Sequence, residues 1–208
     1  MKLVEMKLSE YLDVLKSGAP APGGGSVSAL AGAQGVALIM MVTELTIGKP
    51  KYADFEGLCL ATKEKAGKLY EALCEAVDED TRAYSLVSAA YKLPKDTDEA
   101  KAARSKAIAE ATLTATEVPF HTMELCYEGL LVAKELVGRS NPNAASDIGV
   151  GAQNLLAGVK GAWLNVKINL PGVKDELKKT EFSFKGEKLI AESEVITAEI
   201  EKAVEELL

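Results

Sequence analysis

Apolar residues recur at helical spacing along almost the whole chain. Leu8, Leu12 and Leu15 share one side of a short segment and predict an amphipathic helix near 9–16. A second helix is predicted over 27–47, built on a nearly apolar run from Ala29 to Val42 and ended by Gly48-Lys49-Pro50. Gly32 and Gly35 weaken it locally and suit the close approach of another helix. The third pattern starts near Ala53 or Asp54 and reaches Lys92, a length at which a bend is expected, and Pro94 stops it. Asp96 to Glu99 looks like a capping box for a helix from about Asp98, and Pro119 inside that pattern predicts a kink or a division. Residues 138–143 read as a loop, and the next helix, from near Ala144, carries Gly149, Gly151, Ala152, Ala157, Gly158 and Gly161. Pro171-Gly172 breaks it, and 186–208 predicts a final amphipathic helix. Only Glu181-Phe182-Ser183-Phe184 alternates like a strand.

Composition strengthens this picture. Of 208 residues 48% are hydrophobic but only 5% aromatic, which favours closely spaced helices over sheet. The expected fold is therefore all-α: a single-domain bundle of long helices spanning 1–208, dimerising through its small-residue helix faces. A net charge of −7 argues against nucleic acid and against an acidic membrane surface as partners. The apolar run is too short to span a bilayer and contains Gln34. Cys59, Cys74 and Cys126 are widely spaced and read as reduced thiols, and the N-terminus lacks a signal-peptide core, so the expected location is cytoplasmic.

Pro22-Gly23-Gly24-Gly25-Ser26 stands out, because it opens a long helix with no strand before it. Ser26 is placed to act as N-cap. Bare N–H groups at a positive dipole end, with no Cβ atoms in the way, suit an anion or a polar ligand. A tight turn that lets two helices pack closely fits the same residues, and both readings stand open. Nucleotide loops do not fit: no Gly-Lys-Ser/Thr follows, position 28 is serine where a dinucleotide fingerprint wants glycine, and the preceding Ser17–Pro22 is linker, not strand.

Two further stretches place polar groups in apolar surroundings. In Val77-Asp78-Glu79-Asp80-Thr81-Arg82-Ala83-Tyr84 the two aspartates point to different sides of a helix, so one is expected in solvent and the other inside, where burial tunes a carboxyl group toward acid–base work. An exposed acidic cluster paired with Arg82 is the other reading. Asn165 and Asn169 share a face of the apolar run 162–170 and must either cap neighbouring backbone or hold a polar ligand; Asp147 suits the first turn of the same helix. The single histidine, His121, one turn from Glu117, makes no metal site alone, and no serine sits in a nucleophile elbow. Proton transfer in any catalysis must rest mainly on carboxylates, with amides, hydroxyls and lysines assisting.

The glycine loop with Ala29, Gly32 and Ala33 resembles the opening of the cyclodeaminase domain of formiminotransferase-cyclodeaminase. The likeness continues in order through Leu45-Thr46-Ile47-Gly48-Lys49, Asp78-Glu79-Asp80, Leu93-Pro94-Lys95, Val118-Pro119, Ser146-Asp147 and Asn165-Val166-Lys167-Ile168-Asn169-Leu170, over roughly residues 5 to 205. It implies an all-helical homodimer acting on folate-bound one-carbon units, with no cofactor beyond the folate substrate. The reactions implied are cyclising 5-formiminotetrahydrofolate with loss of ammonia, hydrolysing 5,10-methenyltetrahydrofolate to 10-formyltetrahydrofolate, or both. Asp80 falls on the family's catalytic aspartate. Gly23, Gly24, Gly25 and Ser26 are then expected to present N–H groups to the substrate, Asn165 and Asn169 to meet its polar atoms, and Lys49 to attract its glutamate carboxylate. Pro50 interrupts the family's basic pattern after Gly48 and weakens the case for Lys49 and Lys51. A non-catalytic folate-binding homodimer, or an assembly module, is the competing expectation.

Overall fold

Helix α2 (Gly24–Glu44) is the axis on which this fold is built. A computed structural model describes residues 2–208. The other helices are α1 (Leu8–Leu15), α3 (Glu56–Tyr91), α4 (Asp98–Leu136), α5 (Ala145–Asn169) and α6 (Glu176–Glu205), and no strand occurs among the described residues. α2 packs chiefly against α5 and α3, α4 closes the far side against the same two, and α6 lies over α5 and α4. Ile39, Leu73, Met123, Leu130, Leu155 and Ile200, from five of these helices, are fully buried where they meet. Each such side chain stabilises the fold by about 1.5–3 kcal/mol. α2 is long and apolar enough to cross a bilayer, with a mean hydropathy of 1.6, yet it is the bundle's central helix.

Small residues decide how closely α2 and α5 approach. A Cβ added to Gly35 would lie 2.7 Å from the Gly151 carbonyl oxygen, and one on Gly158 would lie 2.7 Å from Cys126 Sγ and 3.0 Å from Ser28 O. The small-residue faces are therefore consumed inside one chain. Gly35, Gly151 and Gly158 are thus occupied in packing within the chain, while Ala157 of the same helix remains exposed.

Proline does not divide α4, which runs unbroken through Pro119. Pro119 lacks the N–H that would bond the Ala115 carbonyl, and Asn169 Nδ2 donates to that oxygen instead, at 2.7 Å. α4 is capped by Thr97, whose hydroxyl accepts the Ala100 N–H at 3.1 Å, one residue beyond the expected cap at Asp96. The strand-like 181–184 is helical. α6 starts at Glu176, ten residues before the predicted 186, because Asp175 Oδ1 accepts the N–H groups of Leu177 and Lys178 at 3.0 and 3.1 Å. Phe182 meets Phe120 with ring centroids 5.1 Å apart, whereas Phe184 is exposed.

Candidate functional site

The N-terminus of α2 is where the glycines do something a side chain could not. Gly23 is the N-cap and α2 begins at Gly24, so Ser26 lies inside the first turn rather than capping it. Its N–H donates to Asp80 Oδ2 at 3.0 Å. Its hydroxyl, fully buried, lies 2.8 Å from the Val77 carbonyl and 3.2 Å from the same Asp80 oxygen. The positive end of α2 is thus answered by a carboxyl group of the chain itself. A Cβ on Gly25 would fall inside the Asp80 carboxyl, and one on Gly24 would lie 3.2 Å from Asn165 Nδ2. Those two glycines let Asp80 and Asn165 come up against backbone.

Asp78 and Asp80 diverge as their spacing requires, but neither is the solvent-facing residue expected. Asp78 is only 9% exposed and accepts the Leu3 N–H at 2.7 Å, tying the N-terminal turn Leu3–Glu5 to α3. Asp80 is half-buried against the glycine turn. Arg82 pairs with Glu75 at 2.6 Å and approaches Glu79 at 3.8 Å, which leaves both aspartates outside that surface cluster. Burial pushes the Asp80 carboxyl above its ordinary pKa; the N–H and hydroxyl of Ser26 pull it back only in part.

A cleft of ≈ 340 Å³ opens beside Asp80, within the range of small-ligand sites. Gly23, Gly24, Asn165 and Asn169 bring backbone and amide groups to it, while Tyr84, Val87 and Ile168 supply apolar walls. The amide orientations follow from their donors: Asn165 Nδ2 bonds Gly161 O at 2.9 Å and Asn169 Nδ2 bonds Ala115 O. Each side-chain oxygen is left to accept from a ligand. The first alternative foreseen for these residues, an amide bonded to neighbouring backbone, is what the structure shows, and it leaves the other end of each amide available.

Lys49 does not join this cleft. It follows the C-terminal end of α2, and 21 helical residues place it about 30 Å from Gly23. Asp147 sits in the first turn of α5, and His121 is exposed, 3.5 Å from Glu124. Tyr11 escaped sequence reasoning. It is 5% exposed, its hydroxyl has no hydrogen-bond partner, and burial together with the charge of Asp80 pushes its pKa up. The only sequence signal was a tyrosine on the apolar side of α1, next to Leu8, Leu12 and Leu15.

Comparison with known proteins adds a family to this geometry. A family model described as formiminotransferase-cyclodeaminase matches residues 7–187. A methenyltetrahydrofolate cyclohydrolase of Methylorubrum extorquens is 40% identical over 197 residues, 95% of each chain. The formimidoyltransferase-cyclodeaminase of Gallus gallus is 35% identical over 92% of this chain, which spans 35% of that longer protein. The solved structure of a formiminotetrahydrofolate cyclodeaminase from Thermotoga maritima superposes with a TM-score of 0.81 at 25% identity, covering 99% of this chain and 97% of that one.

Proposed function

The chain belongs to the formiminotransferase-cyclodeaminase family, and on that premise we propose that it hydrolyses 5,10-methenyltetrahydrofolate to 10-formyltetrahydrofolate, with Asp80 as acid–base residue. The observation that carries this reading is the Asp80 carboxyl, half-buried at the mouth of a cleft and held by Ser26 at the start of α2. The full-length similarity to a cyclohydrolase favours hydrolysis over the other family reaction.

The substrate is a cation at the methenyl carbon, already electrophilic, so the step asks for a base and a counter-charge and for no cofactor. As a carboxylate, Asp80 stabilises that cation before reaction. It then takes a proton from water as the water oxygen bonds to the methenyl carbon. The resulting carbinol loses its hydroxyl proton to solvent and breaks the bond to N5, which receives the proton held on Asp80. The balance is one cation and one water in, one neutral formyl product and one proton out. An Asp80 pKa raised by burial keeps the group able to return its proton. The N–H groups of Gly23 and Gly24 meet the ring's acceptors and the oxygens of Asn165 and Asn169 its donors, with Tyr84 and Ile168 against its flat faces.

Cyclodeamination uses the same groups in another order: Asp80 accepts the N10 proton as N10 attacks the formimino carbon, then protonates the departing amine. The likeness to the solved cyclodeaminase favours this as the second reading. The test follows the absorbance of methenyltetrahydrofolate with and without the protein at a pH where spontaneous hydrolysis is slow, beside an ammonia assay on formiminotetrahydrofolate. Accelerated absorbance loss, abolished by Asp80→Asn in a folded variant, is the expected result. Ammonia release without that acceleration would move the assignment to the second reading, and neither activity would leave a non-catalytic folate binder.

A further inference from the structure

Proline is the residue least suited to a helix interior, yet Pro119 stands buried near the middle of α4. It carries no N–H for the Ala115 carbonyl four residues back, and a proline ring crowds that carbonyl. Any other residue type at 119 would fill the acceptor from within the helix. With proline there, the Ala115 oxygen is left to a donor from outside α4, and Ala115 lines the Asp80 cleft.

The donor is Asn169 Nδ2, at 2.7 Å. Of the three asparagines on α5, two bond within their own helix: Asn154 Nδ2 donates to Val150 O and Asn165 Nδ2 to Gly161 O, each at 2.9 Å and four residues back. Asn169 instead reaches another helix, 54 residues away in sequence. It ends α5, and the turn that follows is set on the same stretch of α4: a Cβ added to Gly172 would lie 2.8 Å from Thr112 Cγ2. Thr112 O already accepts the Thr116 hydroxyl at 2.8 Å. Ala115 is therefore where the end of α5 finds an open carbonyl.

An amide bonded through its nitrogen keeps its oxygen for another partner. At Asn169 that oxygen belongs to the cleft the residue lines. We propose that Pro119 is a positioning residue for the reaction: by withholding an N–H from Ala115 it fixes the Asn169 amide with its oxygen toward the N–H groups of the substrate ring. This rests on the function proposed above. Pro119 does not line the cleft and moves no proton; it acts through Ala115 and Asn169. An N–H at 119 would fill the Ala115 oxygen from within α4 and leave the Asn169 amide free to turn either end to the ligand.

The experiment is a cycle of Pro119→Ala, Asn169→Ala and the double variant in the full chain, read by melting temperature and by KM and kcat for methenyltetrahydrofolate. Pro119→Ala should melt at the same temperature or higher, since alanine suits the helix better. Its KM should rise about tenfold, the equivalent of one hydrogen bond to the ring. The loss falls on KM rather than kcat, because Asp80 stands on α3, outside the exchange. Asn169→Ala alone should raise KM as much and also lower the melting temperature, by leaving Ala115 O unpaired. Added to Pro119→Ala it should change little further, because the bond it removes is already gone. Two effects on KM that multiply in the double variant would overturn the inference while leaving the function standing. So would a Pro119→Ala chain that loses kcat and melting temperature with KM unmoved, for that proline would serve the fold alone. A folded wild-type chain that turns nothing over would remove the function, and a positioning role with it.

Discussion

The two ends of α2 are made of similar material and do opposite things. Each has a glycine turn, an asparagine from a distant segment, a buried tyrosine and a cavity of comparable size, ≈ 340 Å³ at the first end and ≈ 330 Å³ at the second. At the C-terminal end the polar groups close on one another. Asn141 receives the Tyr52 hydroxyl at 2.9 Å, donates through Nδ2 to Leu45 O at 3.3 Å, and sends its N–H to Thr46 Oγ1 at 3.0 Å. Thr46 passes its own proton to Val42 O at 2.7 Å. At the N-terminal end the accounts stay open: Asp80 is held above its ordinary pKa, the oxygens of Asn165 and Asn169 face a cleft, and the Tyr11 hydroxyl is unpaired. A closed polar network holds a fold together, whereas an open one is held ready for something else.

Asp80→Asn attacks the open end most directly, and its largest effect is on rate. Losing the acid–base group should lower kcat by about 10²- to 10⁴-fold. Stability should move the other way. The fold prefers Asp80 protonated, so its favourable contribution is full below the unfolded pKa and is lost as pH rises through the raised folded pKa. Near neutral pH the wild-type chain therefore carries a desolvated charge that the variant lacks. The variant should melt at the same temperature or higher there, with the gap closing as pH falls through that window. A variant that melts lower at neutral pH and level at acid pH would show that the carboxylate is held for structure.

Gly25→Ala tests the same contact from the backbone side. The added Cβ falls inside the Asp80 carboxyl, so either the start of α2 shifts or Asp80 turns away. Overpacking of this kind costs about 1–3 kcal/mol. Activity should fall with it, by more than the loss of folded protein explains, as read by kcat per folded molecule from a denaturation curve. At the closed end Asn141→Ala should cost about 1–3 kcal/mol by stripping partners from Tyr52 and Leu45, with kcat unchanged. If Asn141→Ala instead lowers kcat in the folded protein, the contrast between the ends is false.

Local patterns carried much of this contrast and missed its central contact. Helical periodicity placed the main helices, and small residues in α2 and α5 announced a close approach, though not that both faces meet inside one chain. Glycine at the start of α2 signalled an anion, but nothing local says that the anion is Asp80, 54 residues away. Ser26 was expected as N-cap because serine is favoured there; with glycines before it, Gly23 takes the cap and frees the serine N–H for Asp80. Lys49 read as a binding residue until the straight length of α2 set it at the other end. The start of α6 was missed because Phe182 and Phe184 alternate like a strand, while the signal that decides it, Asp175 ahead of Glu176, is a short cap.

Tyr11→Phe carries the smallest expected effect and sharpens the contrast most. A buried hydroxyl without a protein partner adds little to the fold, so removing it should leave stability unchanged or raise it by up to about 1 kcal/mol. Burial and the nearby Asp80 charge both keep the phenol neutral, so no charge is lost with it. If the hydroxyl is only a packing remnant, kcat and its pH profile stay as they are. If it serves Asp80 once substrate fills the cleft, the pH profile shifts while the melting curve does not. That outcome would extend the open end of α2 from the cleft into α1, because only at an open site does deleting an idle donor change chemistry and spare the fold.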